Sequence, residues 1–104
     1  MIKIDFPQIE WEKITGNGRH GRAKTSKLHA KLVRLLELSP MWNERKWCVV
    51  GHTGYVLKGS LFLNLGKEQV EIAEGQAFAI ESGEKHKAFC KSKTRIFLVS
   101  EGIT

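Results

Sequence analysis

The stretch Gly75-Gln76-Ala77-Phe78-Ala79-Ile80-Glu81-Ser82-Gly83-Glu84-Lys85-His86-Lys87-Ala88-Phe89-Cys90 decides how this chain is read. Ala77 to Ile80 is a short apolar run, Glu81-Ser82-Gly83 is a turn signal, and His86 opens a second run that ends at Cys90. The same rhythm continues on both sides. Lys46 to Val50 leads to Gly51, Gly54 to Lys58 to Gly59, Ser60 to Leu65 to Gly66-Lys67, and Glu68 to Ala73 to Glu74-Gly75, while Thr94 to Ser100 follows. Leu61, Leu63 and Leu65 alternate with Ser60, Phe62 and Asn64, and Val70 and Ile72 alternate with Gln69, Glu71 and Ala73. That period of two is the mark of half-buried strands. Asn64-Leu65-Gly66-Lys67-Glu68 reads as a tight hairpin turn with Gly66 free to take positive φ. Short strands at spacings of about 8 to 12 residues predict an all-β sandwich or barrel.

The N-terminal third is less regular. Ile2, Ile4 and Phe6, then Ile9 and Trp11, suggest an edge strand that stops at Pro7 and resumes. Residues 15 to 26 hold three glycines and almost nothing apolar, which predicts a mobile loop. They contain no Walker-type or dinucleotide-binding glycine motif. Leu28 to Leu38 fits a helical period through Leu28, Leu32, Leu35 and Leu36, and fits a strand with Leu32, Arg34, Leu36 and Leu38 on one side equally well; Ser39-Pro40 stops either. The strand is chosen because everything downstream reads as strand. Residues 1–27 are therefore expected to be an edge strand and a basic glycine-containing loop, and residues 28–104 a barrel, within one domain.

A chain of 104 residues with 41% apolar and 27% charged residues has the composition of an ordinary globular domain. Its apolar runs fall far short of the roughly 20 residues a spanning helix needs, so no membrane association is expected. The first residues lack the apolar segment of a signal peptide, and the expected location is the cytoplasm. Two cysteines, Cys48 and Cys90, are too few for a disulfide framework. The net charge of +6 is concentrated between Lys13 and Arg34. No aromatic residue is interleaved there as a base-stacking platform requires, so the patch is read as a solvated face rather than a nucleic-acid site.

Two stretches together resemble the cupin superfamily of small jelly-roll barrels, also described as double-stranded β-helices. Its second motif runs Gly, five residues, Pro, one residue, Gly, two residues, His, three residues, Asn. Here Gly75, Gly83 and His86 keep that spacing, Glu81 stands for the proline and Cys90 for the asparagine. Tyr55-Val56-Leu57-Lys58-Gly59 is similar to the end of the first motif. That motif usually supplies a His-x-His pair and a Glu as metal ligands. Counting back from Gly59 puts His52 in the Glu position, Cys48 in that of the second His and Lys46 in that of the first, so the usual pair is missing. The resemblance implies a cupin-type barrel, a homodimer, a small-molecule ligand, and, if the protein is an enzyme, metal-dependent dioxygenase or isomerase chemistry.

The candidate metal ligands are Cys48, His52 and His86, because Gly51 can turn the chain between the first two. His86 and Cys90 share a strand face but lie roughly 13 Å apart on a straight strand, too far for one ion. A thiolate with two imidazoles suits zinc, iron, nickel or copper, with a fourth position left to water or substrate. Cys90, Tyr55, Phe78 and Glu81 are the remaining pocket candidates. Each has a plain reading too: Cys48 and Cys90 as small buried hydrophobes, Tyr55 as packing, Glu81 as a solvated turn residue. The two histidines also fit a metal-free barrel in which they orient a small ligand through hydrogen bonds. No separate nucleophile, base and orienting group can be picked out, so catalysis is left open.

Overall fold

In the last strand, Thr94, Ile96, Leu98 and Ser100 are buried while Arg95 is exposed and Phe97 and Val99 are only partly covered. A sheet with one face on a core demands that alternation. The computed structural model describes residues 1–101. After a 3-10 turn at Phe6–Gln8 come β1 (Glu12–Gly16), β2 (Arg19–Leu28), β3 (Lys31–Leu38), β4 (His52–Lys58), β5 (Ser60–Asn64), β6 (Gln69–Ala73), β7 (Ala77–Ile80), β8 (Lys87–Phe89) and β9 (Thr94–Ser100). They form two antiparallel sheets, one in the order β1-β2-β3-β9-β4-β7 and the other β6-β5-β8. Leu36, Leu38, Ile96 and Leu98 of the first sheet share a core with Leu61 and Leu63 of the second. The expected all-β jelly-roll barrel is the fold observed.

Gly59 makes the passage from β4 to β5. Its φ is 82°, and a Cβ there would lie 2.5 Å from the Lys93 carbonyl oxygen, so both conformation and space require glycine. The turn from β5 to β6 is the predicted one, with Gly66 at φ 89° and its N–H donating to Asn64 Oδ1.

Four expectations are corrected. Residues 1 to 11 hold no edge strand: apart from the 3-10 turn at Phe6–Gln8 they are irregular, and the first strand starts only at Glu12. Residues 15 to 26 are not a loop: β1 and β2 form a hairpin through Asn17 and Gly18, at φ 51° and 77°. This Asn-Gly pair is the turn that suits two-residue hairpins. The strand was hidden by its polar composition, since its outer face carries Arg22 and Lys24 stacked over the Trp11 ring and only Ala23 enters the core. Full-length pairing of β2 with β3 supplies the order. Next, the strand reading of 28–38 stands against the helical one, but Leu28 closes β2 and His29, at φ 58°, turns into β3. Finally, Lys46 to Val50 is no strand; its β-pairing is limited to the isolated bridge between Cys48 and His86. Trp47 and Val49 are exposed while Cys48 and Val50 turn toward the cavity, but no strand runs alongside to pair with the segment over its length.

On the outer face, Arg22, Glu37 and Arg95 lie directly opposite one another on β2, β3 and β9. Glu37 is 6% exposed and accepts bonds from Arg22 at 2.7 Å and from Arg95. Burial alone would raise its pKa, but the hydrogen bonds and charges of the two arginines outweigh it and the net shift is downward. A carboxylate with a lowered folded pKa contributes stability above its unfolded value and loses it as pH falls through the folded one. Glu37→Gln should therefore cost on the order of 2 kcal/mol at neutral pH. Urea titrations at a series of pH values should show the gap between variant and wild type closing as the solution is acidified below the ordinary carboxylate value of 4.5. An unchanged gap would refute the ion-pair account.

Candidate functional site

β9 pairs with β3 on one edge and β4 on the other, which aligns Leu32, Ser100 and His52 in one cross-strand row and Arg34, Leu98 and Gly54 in the next. Residues of these rows face the interior, where a cavity of about 300 Å³ is lined by apolar side chains such as Ile14, Leu36, Leu63 and Phe78. Its polar wall consists of Arg34, Glu44, Cys48, His52, His86 and Ser100, with Trp42 beside them. A volume of this size lies at the small end of ligand sites, which span roughly 300–1,000 Å³.

Cys48 and His86 are locked side by side by two backbone bonds, Cys48 N–H to His86 O at 2.8 Å and His86 N–H to Cys48 O at 2.9 Å. Gly51 then carries the chain round to His52, its N–H donating to Ser82 Oγ at 3.2 Å and its carbonyl accepting from the Glu101 N–H at 2.8 Å. A Cβ at Gly51 would meet the Ser82 nitrogen at 2.7 Å, so the turn has room for no side chain. One ligand atom from each of Cys48, His52 and His86 falls within 4.8 Å of the others. Cys48 Sγ is 3.8 Å from His52 Nε2, and the two imidazole rings meet edge to face at 5.1 Å. A thiolate and an imidazole bound to one tetrahedral ion would place S and N about 3.6 Å apart, close to the separation observed.

Each ring is held by its other nitrogen. His86 Nδ1 lies 2.9 Å from the Glu84 carbonyl oxygen, an arrangement that requires the proton on Nδ1, so that in the neutral ring Nε2 carries the lone pair. That Nε2 is buried and has no partner among the described residues. His52 Nδ1 lies 2.9 Å from Ser100 Oγ. Burial first, then the charges of His86 and Arg34, lower the His52 pKa to about 4, so this ring is neutral at pH 7. Glu44 accepts the Ala88 N–H at 2.8 Å, and burial raises its pKa against the opposing influence of that bond and of His86, Arg34 and Lys87.

The other sequence-derived candidates separate. Phe78 lines the cavity. Tyr55 is 42% exposed, since His52, Gly54 and Val56 occupy the inward positions of β4. Glu81 is exposed in the turn after β7. Cys90 is buried away from the cluster, with its thiol 3.3 Å from the Ser39 carbonyl oxygen and its pKa raised mainly by burial; both cysteines are free. Arg34, Glu44 and Ser100 were missed. Arg34 had a signal: it interrupts the leucine face Leu32, Leu36, Leu38 at the strand period. Glu44 lies outside any regular element and had none.

Residues 49–100 match the Cupin domain family. No sequence among curated proteins matches the chain. Among solved structures, a predicted oxalate decarboxylase from Thermotoga maritima is similar with TM-score 0.78 at 16% identity, over 98% of this chain and 100% of that one. An RmlC-like cupin from Shewanella frigidimarina gives 0.77 at 15%, over 93% and 86%. The polyketide cyclase RemF from Streptomyces resistomycificus gives 0.74 at 22%, over 96% and 78%. At these identities the likeness shows the fold, which hosts many activities. Among the described residues no helix is long and apolar enough to cross a membrane.

The cavity wall at Phe78 depends on Gly54, where a Cβ would lie 2.6 Å from the Phe78 ring and 3.1 Å from Leu98 Cδ1. Gly54→Ala should force the ring toward the cavity and destabilise the protein by about 1–3 kcal/mol, measured by thermal or urea denaturation. A neutral substitution would show that the ring moves freely and does not bound the site.

Proposed function

This chain belongs to the cupin family, and from that premise we propose that it holds a divalent transition metal on Cys48, His52 and His86 and presents it to a small molecule in the cavity. The observation that carries the reading is His86 Nε2. A buried lone pair without a partner costs free energy, and native structures rarely tolerate one unless a bound atom meets it. The donor set supports zinc, iron, nickel or copper over magnesium or calcium, which prefer oxygen. When bound, such an ion supplies Lewis acidity toward an oxygen or nitrogen of the small molecule.

The rest of the work falls to the chain. The Glu84 carbonyl holds the His86 ring by Nδ1, and the Ser100 hydroxyl holds the His52 ring by Nδ1. His52, neutral at pH 7, offers its lone pair without first shedding a proton. The apolar walls exclude bulk water and strengthen polar interactions made inside.

Protein prepared without a histidine tag should carry close to one equivalent of metal by elemental mass spectrometry. Cys48→Ser, His52→Ala and His86→Ala should each lose it. Ser100→Ala should weaken metal affinity by roughly 10- to 100-fold while keeping the fold. With cobalt, the sulfur charge-transfer band should be present in wild type and absent from Cys48→Ser. Wild-type protein that takes up no metal would discard this reading in favour of a metal-free ligand-binding barrel.

A further inference from the structure

Three buried side-chain polar atoms lack a partner among the described residues: Arg34 Nε, Trp42 Nε1 and His86 Nε2. All three belong to residues lining the one cavity. His86 Nε2 is accounted for by a metal. The other two are N–H donors, and a donor withheld from both water and protein is costly unless an acceptor is brought to it. The chain treats its other strand arginines in this region differently. Arg22 and Arg95, on the outer face, both pair with Glu37. Arg34 sits on the inner face of β3 between Leu32 and Leu36, opposite Leu98, and forms no ion pair among the described residues. Glu44, the acidic residue of the same wall, gives its Oε1 to the Ala88 N–H and leaves the guanidinium unpaired.

We infer that the cavity takes a small organic acid, with its carboxylate held by the Arg34 guanidinium and its other end toward Cys48, His52 and His86. A guanidinium fork matches the two oxygens of a carboxylate, and the match gains in a site shielded from water. One positive group on a largely apolar wall suits a monoanion. A phosphate dianion calls for several convergent donors, such as arginine clusters or backbone nests, and no such set lines this cavity. Size agrees. Arg34 stands two strands and one inward position away from His52, which places their Cα atoms roughly 12 Å apart by ordinary sheet spacings. Both side chains reach into that gap, so the acid bridging them is short. The inference rests on the cavity being the ligand site. It does not rest on Arg34 touching metal.

The test is calorimetric titration of the full chain, zinc-loaded and chelator-stripped, with a panel of monocarboxylates from acetate to benzoate, the matching primary amides, and inorganic phosphate. At least one acid should bind tenfold or more tightly than its amide. Arg34→Gln should abolish that preference while melting temperature and zinc content stay at wild-type values. If Arg34→Gln does not fold, Arg34→Lys decides: it keeps the charge but loses the fork, and should bind the acid several-fold more weakly than wild type. Equal binding of acid and amide, no binding of any acid, tighter binding of phosphate, or an Arg34→Lys variant with undiminished affinity would overturn the inference. Should zinc fail to load while the acid preference and its loss in Arg34→Gln persist in stripped protein, the metal reading falls and this one stands.

Discussion

The interior of this barrel depends on β9 pairing along both edges at once. One strand near the C-terminal end brings β3, from the first third of the chain, beside β4, from its middle. Registers on the two sides are matched, so that Ser100 stands between Leu32 and His52, and Leu98 between Arg34 and Gly54. Because side chains alternate along a strand, a slip of one residue on either edge would send His52 or Arg34 outward. The cavity is therefore a product of register. The apolar residues of β9 lock that register by entering the core at every second position.

Polar groups in the barrel follow two different rules. On the outer face the cross-strand row of Arg22, Glu37 and Arg95 is internally complete, with a nearly buried carboxylate balanced by two half-exposed guanidinium groups. On the inner face the partnerships are left open. The Cys48–His86 backbone bridge and the bonds to the second nitrogen of each imidazole fix where these side chains stand, yet among the described residues Nε2 of His86 and Nε of Arg34 have no partner. Rigid support behind an unsatisfied atom is how a preorganised site differs from a merely imperfect core. Such incompleteness in so small a domain is a cost in stability, concentrated in one place.

Much of the fold was legible because β4 to β9 carry their burial pattern openly: Leu61 and Leu63, Ile96 and Leu98 announce a covered face, and Gly59 and Gly66 mark the corners. β2 was not legible. Its inward residues are small, its outward residues basic, and its order comes from pairing with β3, a long-range interaction that local composition does not register. The Lys46–Val50 segment misled in the opposite direction, since strand-like residues there have no sheet to join. At the site, the spacing back from Gly59 singled out Cys48 and His52, and the chain does bring them beside His86. Tyr55, from the stretch similar to the first motif, and Glu81, at the proline position of the second, are both exposed. Arg34 was visible as a charge on a leucine face but lacked any local reason to be preferred over an ordinary solvated arginine.

The contact between Gly54 and Phe78 bears on how such a pocket selects by size. The ring can lean against bare backbone only because position 54 has no side chain, and it thereby retreats from the space a ligand would fill. Depth is thus governed by a residue that need never touch the occupant. A methylene more or less in an apolar pocket is worth about 1–3 kcal/mol of discrimination. On the proposed ligand-binding reading, a single-carbon change behind the wall alters which chain lengths fit while every polar side chain stays in place, so the length of an occupant and the group that anchors it are set by different residues.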